Sequence, residues 1–173
     1  MSVRRLVILG LFAAVAVALT LVVQAPPRRG GEAAVRGPRV FKIEAASVRR
    51  VEVTIGERAV AADRGPDGWT VGSARMDEAA RRAIDDLVET LVRLRAIDRF
   101  RPSDDGRFGL DPPRATVALA SAARRTRLDL GELNAARSAV YARREGSPHV
   151  MIVGLYLVSA LERVIHFVEG GDA

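Results

Sequence analysis

Residues Asp77–Arg95 read DEAARRAIDDLVETLVRLR, and this stretch determines how the rest of the chain can be arranged. Its apolar residues recur every three or four positions, the spacing of one face of an α-helix; they are Ile84, Leu87, Val88, Leu91 and Leu94. Asp77 precedes this pattern and is a residue type preferred at the N-cap. Charged residues four positions apart occupy the opposite face, as on a solvated helix surface. We therefore predict a helix over Glu78–Arg95 whose apolar face packs on a sheet.

Short stretches on both sides of this helix predict the strands of that sheet. In Val51–Ile55, apolar residues alternate with polar ones, which is the period of a half-buried strand. The cluster Gly65-Pro66-Asp67-Gly68 is a strong turn signal, because proline fixes φ and glycine allows a positive φ. The predicted strands are Val51–Ile55, Arg58–Ala62, Trp69–Val71, Ile97–Arg101, Val117–Leu119, Leu128–Leu130, Val140–Arg143, Val150–Val153 and Val164–Val168.

The order of these elements predicts an α+β fold. Hairpin-like spacing favours mostly antiparallel strands, with one long helix after Asp77 and one short helix over Leu155–Arg163. Strands, a helix and the segment Ile97–Phe100 are followed by strands, a helix and the segment Val164–Phe167. This near-repetition suggests two duplicated β-α-β-type units.

The N-terminus predicts a transmembrane helix ahead of this fold. Leu6–Val23 is a run of 18 residues without a charge. As a helix it is about 27 Å long, close to the roughly 30 Å hydrocarbon core of a bilayer. A cleaved signal peptide is the alternative, but it has a shorter apolar region. The candidate cleavage site Val23-Gln24-Ala25 is followed by Pro26, which favours an uncleaved anchor.

This anchor sets the predicted domain organisation. Residues 1–23 form a cytoplasmic tail and transmembrane anchor, residues 24–39 a stalk rich in Pro, Gly and Arg, residues 40–169 the α+β domain, and residues 170–173 a tail. A short N-terminal tail before a large C-terminal domain is the form of a signal-anchor. We therefore expect a single-pass protein of the bacterial inner (cytoplasmic) membrane whose C-terminal domain faces the periplasm or the cell exterior.

The charge distribution argues against nucleic-acid binding. The formal net charge is +6, but residues 1–39 carry six arginines and one glutamate, whereas residues 40–173 carry 21 basic and 20 acidic residues. The excess thus belongs to the anchor and stalk. A nucleic-acid-binding domain normally carries a basic face of its own. We therefore expect no nucleic-acid partner.

The sequence offers few groups for catalysis. It has no cysteine and lacks the GxSxG, GxxxxGK[ST], GxGxxG and HExxH patterns. His149 and His166 lie on predicted strands. Glu162 and His166 would have metal-ligand spacing only if one helix contained both residues. We predict that the helix breaks between them. The pair Asp104-Asp105 lies in a loop, where an Asp beside Gly106 is also an ordinary turn signal. We therefore expect no catalytic, cofactor or metal site.

Several short motifs resemble one known family. The chain is similar to the bacterial domain-of-unknown-function family 4340 in a VxxVEV strand, a DGW turn, an FGLDPP loop, and the strands LDLG, VYAR and SPHVMIV. These motifs occupy Val48–Val53, Asp67–Trp69, Phe108–Pro113, Leu128–Gly131, Val140–Arg143 and Ser147–Val153. The similarity extends over about residues 40–165. Its most specific element is Gly-Leu-Asp-Pro-Pro followed by the Leu-Gly and Tyr-Ala-Arg strands.

The resemblance implies a membrane-anchored, envelope-facing protein without an assigned enzymatic activity. Some members of that family are encoded beside ABC-type transporters, which implies an accessory role and a membrane-protein partner. The resemblance and the predicted contact of Leu6–Val23 with the lipid bilayer lead to the same expectation. We expect the protein to be an extracytoplasmic accessory or binding module. Two alternatives remain open: an envelope enzyme that acts on glycans with Asp104 or Asp105, and a purely structural envelope spacer.

Overall fold

The computed structural model describes residues 37–72, 74–103 and 105–170. The predicted anchor Leu6–Val23, the stalk as far as residue 36 and the tail from residue 171 lie outside the described residues. Over the ranges that are described, no helix has both the length and the apolar character needed to cross a membrane.

A single antiparallel sheet and two helices form the domain, which confirms the α+β class. The described residues contain nine strands: β1 (Arg50–Ile55), β2 (Arg58–Gly65), β3 (Gly68–Val71), β4 (Ala74–Arg75), β5 (Asp98–Phe100), β6 (Ala115–Ala120), β7 (Arg125–Leu133), β8 (Ala139–Arg144) and β9 (Val150–Gly154). The helices are α1 (Glu78–Arg93) and α2 (Tyr156–Glu169), and short 3-10 turns lie at Ala45–Ser47 and Asp105–Phe108.

The strand order is β4-β3-β2-β1-β6-β7-β8-β9-β5. Two four-stranded meanders, each followed by a helix, meet at the central pair β1 and β6, where Val53 lies opposite Val117. After α1 the chain crosses to the far edge, and β5 pairs with β9. The fold is therefore a repeated meander-helix arrangement rather than two β-α-β units.

Both helices cover one face of the sheet. Val51 and Val53 of β1 and Val117 and Leu119 of β6 point toward them and are fully buried. The helices contribute their own apolar stripes to this core; the buried members are Ala83, Ile84, Leu87, Val88 and Leu91 from α1, and Leu157, Ala160, Leu161, Val164 and Ile165 from α2. The predicted packing of the first helix on a sheet is confirmed.

Two side-chain hydrogen bonds fix α1, one at its start and one at its middle. The carboxylate of Asp77 accepts a hydrogen bond of 2.7 Å from the backbone N–H of Ala80, which confirms the predicted N-cap. The buried Trp69 of β3 donates from Nε1 to Asp85 Oδ1 at 2.8 Å. This bond lets the indole lie in the core with its one donor satisfied.

The C-terminal helix differs from the prediction. The predictions of a short helix over Leu155–Arg163 and a strand over Val164–Val168 are wrong. A single helix, α2, continues from Tyr156 to Glu169. The physical reason is that the buried residues Leu157, Leu161, Val164 and Ile165 recur with the helical period. The two helices have similar lengths, 16 and 14 residues, so the expected long and short pair is also corrected.

Candidate functional site

An apolar groove opens at one end of the sheet, beside the start of α2. Its volume is about 270 Å³, and we call it the apolar groove. Strand ends and α2 together supply its lining, which consists of Ile55, Arg114, Ala115, Leu130, Gly131, Leu133, Val140, Leu155, Val158 and Leu161. The groove thus combines residues from β1, β6, β7, β8 and α2 with one cation.

Local sequence explains why this groove stays open. Leu155 precedes α2 and supplies no side-chain cap, so its apolar side chain is free to project at the helix entrance. It is 37% exposed, whereas Leu161 one and a half turns later is fully buried. At the rim, Arg114 and Glu132 form an ion pair of 3.1 Å. The groove therefore has a buried apolar floor, a partly exposed apolar wall and a charged margin.

Neither histidine lies at this groove. His149 is half-buried, and its Nδ1 lies 3.0 Å from Nη2 of Arg99, a neighbour that the sequence did not indicate. His166 is exposed and lies on α2 rather than on the predicted strand. Since α2 is continuous, the predicted break between Glu162 and His166 is wrong, and both are exposed one turn apart. In the described ranges, no group of three or more His, Asp or Glu residues is placed to hold a metal ion.

The acidic loop pair stays a sequence observation. Asp104 lies outside the described residues, and the backbone of Asp105 begins the short 3-10 turn that ends at Phe108. The glycan-cleaving alternative depended on these two carboxylates.

The loop Phe108–Pro113 packs on the face of the sheet opposite the helices. A Cβ atom on Gly131 of β7 would clash with the carbonyl oxygen of Phe108. The loop can therefore lie this close to β7 because residue 131 has no side chain. Gly109 adopts φ +62°, a conformation that favours glycine. Leu110 is buried at 2% exposure, while Phe108 is only half-buried, against Tyr141 at 4.8 Å between ring centroids. Two of the family-like motifs are therefore structural partners.

The same face carries an ion-pair network across β1, β2 and β7. Glu52 accepts from Arg125 at 2.6 Å and from Arg50 at 2.9 Å, and Arg50 also contacts Asp63 at 2.7 Å. The hydrogen bond from Arg125 lowers the pKa of the Glu52 carboxyl, Arg50 acts in the same direction, and desolvation opposes them. This network holds the central strands together by side chains as well as by the backbone ladder.

The lowered pKa of Glu52 predicts a pH-dependent contribution to stability. A carboxyl whose folded-state pKa lies below its unfolded value stabilises the fold above the unfolded value, near about 4.3, and loses that contribution as pH falls through the folded value. We expect Glu52→Gln to lower the free energy of unfolding by about 1 kcal/mol or less at pH 7. The difference from the parent should shrink as the pH falls below about 4.3. Chemical unfolding of the full chain at pH 7, 5 and 3 measures this, and a difference that grows on acidification would contradict it.

The residues of the apolar groove were not identified from the sequence. Each belongs to an element whose pattern only indicated burial, and the elements are distant along the chain. One local signal was present: the run Leu155-Tyr156-Leu157-Val158 opens a helix without a polar capping residue. An apolar helix start of this kind indicates a surface that packs against another part of the chain or binds a partner molecule.

Comparisons with known proteins give one similarity. The family model described as "Domain of unknown function (DUF4340)" matches residues 79–169, just over half of the chain. The matched range includes the motifs Phe108–Pro113, Leu128–Gly131, Val140–Arg143 and Ser147–Val153, whereas the VxxVEV and DGW motifs precede it. No curated protein and no solved structure matches the chain significantly.

Proposed function

The chain belongs to the DUF4340 family, and from this membership we propose that it is a membrane-anchored, extracytoplasmic binding module of a membrane or transport-associated complex, without catalytic activity. The observation that carries the proposal is the apolar groove. Its volume of about 270 Å³ lies below the roughly 300–1,000 Å³ typical of small-molecule sites. It is better suited to one or two apolar side chains of a protein partner.

The composition of the groove supports binding rather than chemistry. Its lining contains one ionisable residue, Arg114, whose guanidinium already pairs with Glu132. General acid–base catalysis requires titratable groups within hydrogen-bond reach of a substrate. An apolar depression with a charged rim is instead the form of an interface anchor site. The occupant we propose is an apolar side chain of a membrane-protein partner.

A pair of matched variants tests the groove. Leu155 and Phe167 are similarly exposed, at 37% and 39%, but only Leu155 lines the groove. We expect Leu155→Glu to weaken partner binding by about five- to thirty-fold, because a carboxylate would have to be desolvated inside the interface. Phe167→Glu should have little effect. Affinity capture of the tagged full-length chain from solubilised membranes, with quantitative mass spectrometry, measures both.

Equal recovery of every partner by the two variants and the parent would contradict the groove as a binding site. The measurement requires that both variants remain folded, which circular dichroism of the purified full-length proteins establishes. A partner lost equally in both variants would point to α2 as a whole rather than to the apolar groove.

The proposed topology has its own test, motivated by the run Leu6–Val23. Alkaline phosphatase fused after Ala173 should be active in a bacterial host, because the proposal places the C-terminal domain outside the cytoplasm. A reporter that functions only in the cytoplasm should be inactive at the same position. The reverse result would reverse the topology, and a mature N-terminus near Pro26 would replace the uncleaved anchor by a cleaved signal peptide.

A further inference from the structure

A cleft with an unbalanced positive charge lies where the chain enters the domain. It has a volume of about 480 Å³ and lies between the entry segment and the turn that joins β6 to β7. Three cations, one acid, two hydroxyls and two apolar residues line it: Arg39, Lys42, Arg124, Glu44, Ser47, Ser121, Ile43 and Ala123. We call it the cationic cleft.

The three cations of this cleft differ from two arginines at the same end of the sheet. Arg50 and Arg125 form ion pairs with carboxylates. By contrast, Arg39, Lys42 and Arg124 are exposed, and none of them forms an ion pair with any residue that the structure describes. Three cations against the single carboxylate of Glu44 leave the cleft with a net positive charge, which raises the local concentration of anions. The ligand class that this site favours is therefore anionic.

The backbone holds these cations in place. The N–H of Val40 donates to the carbonyl of Leu94 at 3.0 Å, and the N–H of Ala96 donates to the carbonyl of Pro38 at 3.1 Å. Val40 and Phe41 are buried in the core between Arg39 and Lys42. The cleft is thus a fixed part of the domain surface and not part of a loose tail.

The position of the cleft along the chain indicates the source of the anion. Arg39 follows Val23, the last residue of the proposed anchor, by 16 residues. At about 3.3–3.6 Å per residue, these 16 residues can span at most about 60 Å, so the covalent connection allows the cleft to reach the bilayer surface. Lys and Arg side chains that come within a Debye length of an anionic bilayer surface are attracted to it by about 1 kcal/mol each. We propose that the cationic cleft binds the phosphate headgroups of anionic lipids in the membrane that carries the anchor, an inference that rests on the proposed function.

The sequence provides a specific probe of this contact. Lys42 is the single lysine of the chain, so an amine-reactive reagent modifies the cleft at one defined position. The full-length chain is placed in nanodiscs of phosphatidylcholine alone, or of an equal mixture with phosphatidylglycerol, and labelling of the peptide containing Lys42 is followed by mass spectrometry. We expect the labelling rate to fall at least about three-fold in the anionic discs. The protection should disappear at 1 M salt, where the Debye length is about 3 Å.

Two double variants with the same change of charge distinguish the cleft from a general charge effect. Arg39→Gln with Arg124→Gln should abolish most of the protection of Lys42. Arg58→Gln with Arg137→Gln should preserve it, because these exposed arginines lie at the opposite end of the sheet. Equal loss in both double variants would overturn the assignment to the cleft.

Three further results would also overturn the inference, and they are distinguishable. Equal labelling in both kinds of disc, with the chain co-eluting with the lipid, would overturn the lipid contact and leave the proposed function intact. Protection by inorganic phosphate in phosphatidylcholine discs, without any effect of the anionic lipid, would make the cleft a small-anion site. Failure of the chain to co-elute with either disc would overturn the anchor, and with it both proposals.

Discussion

Replacement of Leu110 by alanine is expected to lower the free energy of unfolding by about 2–5 kcal/mol, as for other fully buried leucines. Leu110 is 2% exposed, yet it does not belong to the core between the sheet and the helices. It lies in the loop that covers the opposite face, so its removal creates a cavity where no helix can move in to fill it. Thermal and chemical unfolding of the full-length chain measure the loss.

Leu155→Ala is the matched control for this experiment. Leu155 is 37% exposed, and its truncation is expected to cost less than that of Leu110, because more than a third of its surface stays in contact with water in the folded state. If Leu110→Ala retains the parental stability but loses a binding partner, then the loop Phe108–Pro113 is a recognition element and its structural role is wrong.

Gly131→Ala should destabilise the fold by about 1–3 kcal/mol through overpacking. The added Cβ would meet the backbone of Phe108 and Gly109 at separations that real Cβ atoms essentially never show. Backbone atoms cannot rotate away as a flexible side chain can, so the whole loop must move. We expect the midpoint of thermal unfolding to fall, and the loop to become more accessible to limited proteolysis.

Gly65→Ala provides the comparison, because it is also a strand glycine. A Cβ at Gly65 would lie 3.8 Å from the carbonyl oxygen of Gly68, an ordinary van der Waals contact, and no positive φ is involved. It should change the free energy of unfolding by less than about 1 kcal/mol. Equal destabilisation by the two substitutions would show that the close approach of the loop to β7 is not what requires glycine at position 131.

Local patterns predicted most of the elements for an identifiable reason. Val51–Ile55 alternates because one face of β1 is covered by helices and the other carries the ion-pair network. The start of α1 followed from its cap, Asp77. Val164–Val168 was misassigned because five residues can satisfy both the strand and the helix period, and only contact with the core through Val164 and Ile165 decides between them. The two-residue strand β4 is too short to show any period.

The arrangement of the elements, and with it the candidate site, could not be predicted from the sequence. The central pairing of β1 with β6 and the edge pairing of β5 with β9 join segments that are distant along the chain. The apolar groove depends on the pairing of β1 with β6, because this pairing brings Ile55 of β1 to the same groove as Leu133 and Leu155. The sequence pattern within one segment indicates which of its residues are buried, but not which other segments pack against them.

The crossing of β5 to the far edge of the sheet has a consequence for the order in which the protein can be assembled. During synthesis β5 is complete once residue 100 has been added, but its partner β9 does not exist until residues 150–154 have followed. The edge of β1 that β6 will cover is also unpaired until residues 115–120 have been added. Unpaired edges are the surfaces through which incomplete chains associate wrongly. The nascent first half is therefore the form of this protein that most needs a chaperone, and an arrested product ending near residue 110, before β6, should aggregate where the finished chain does not.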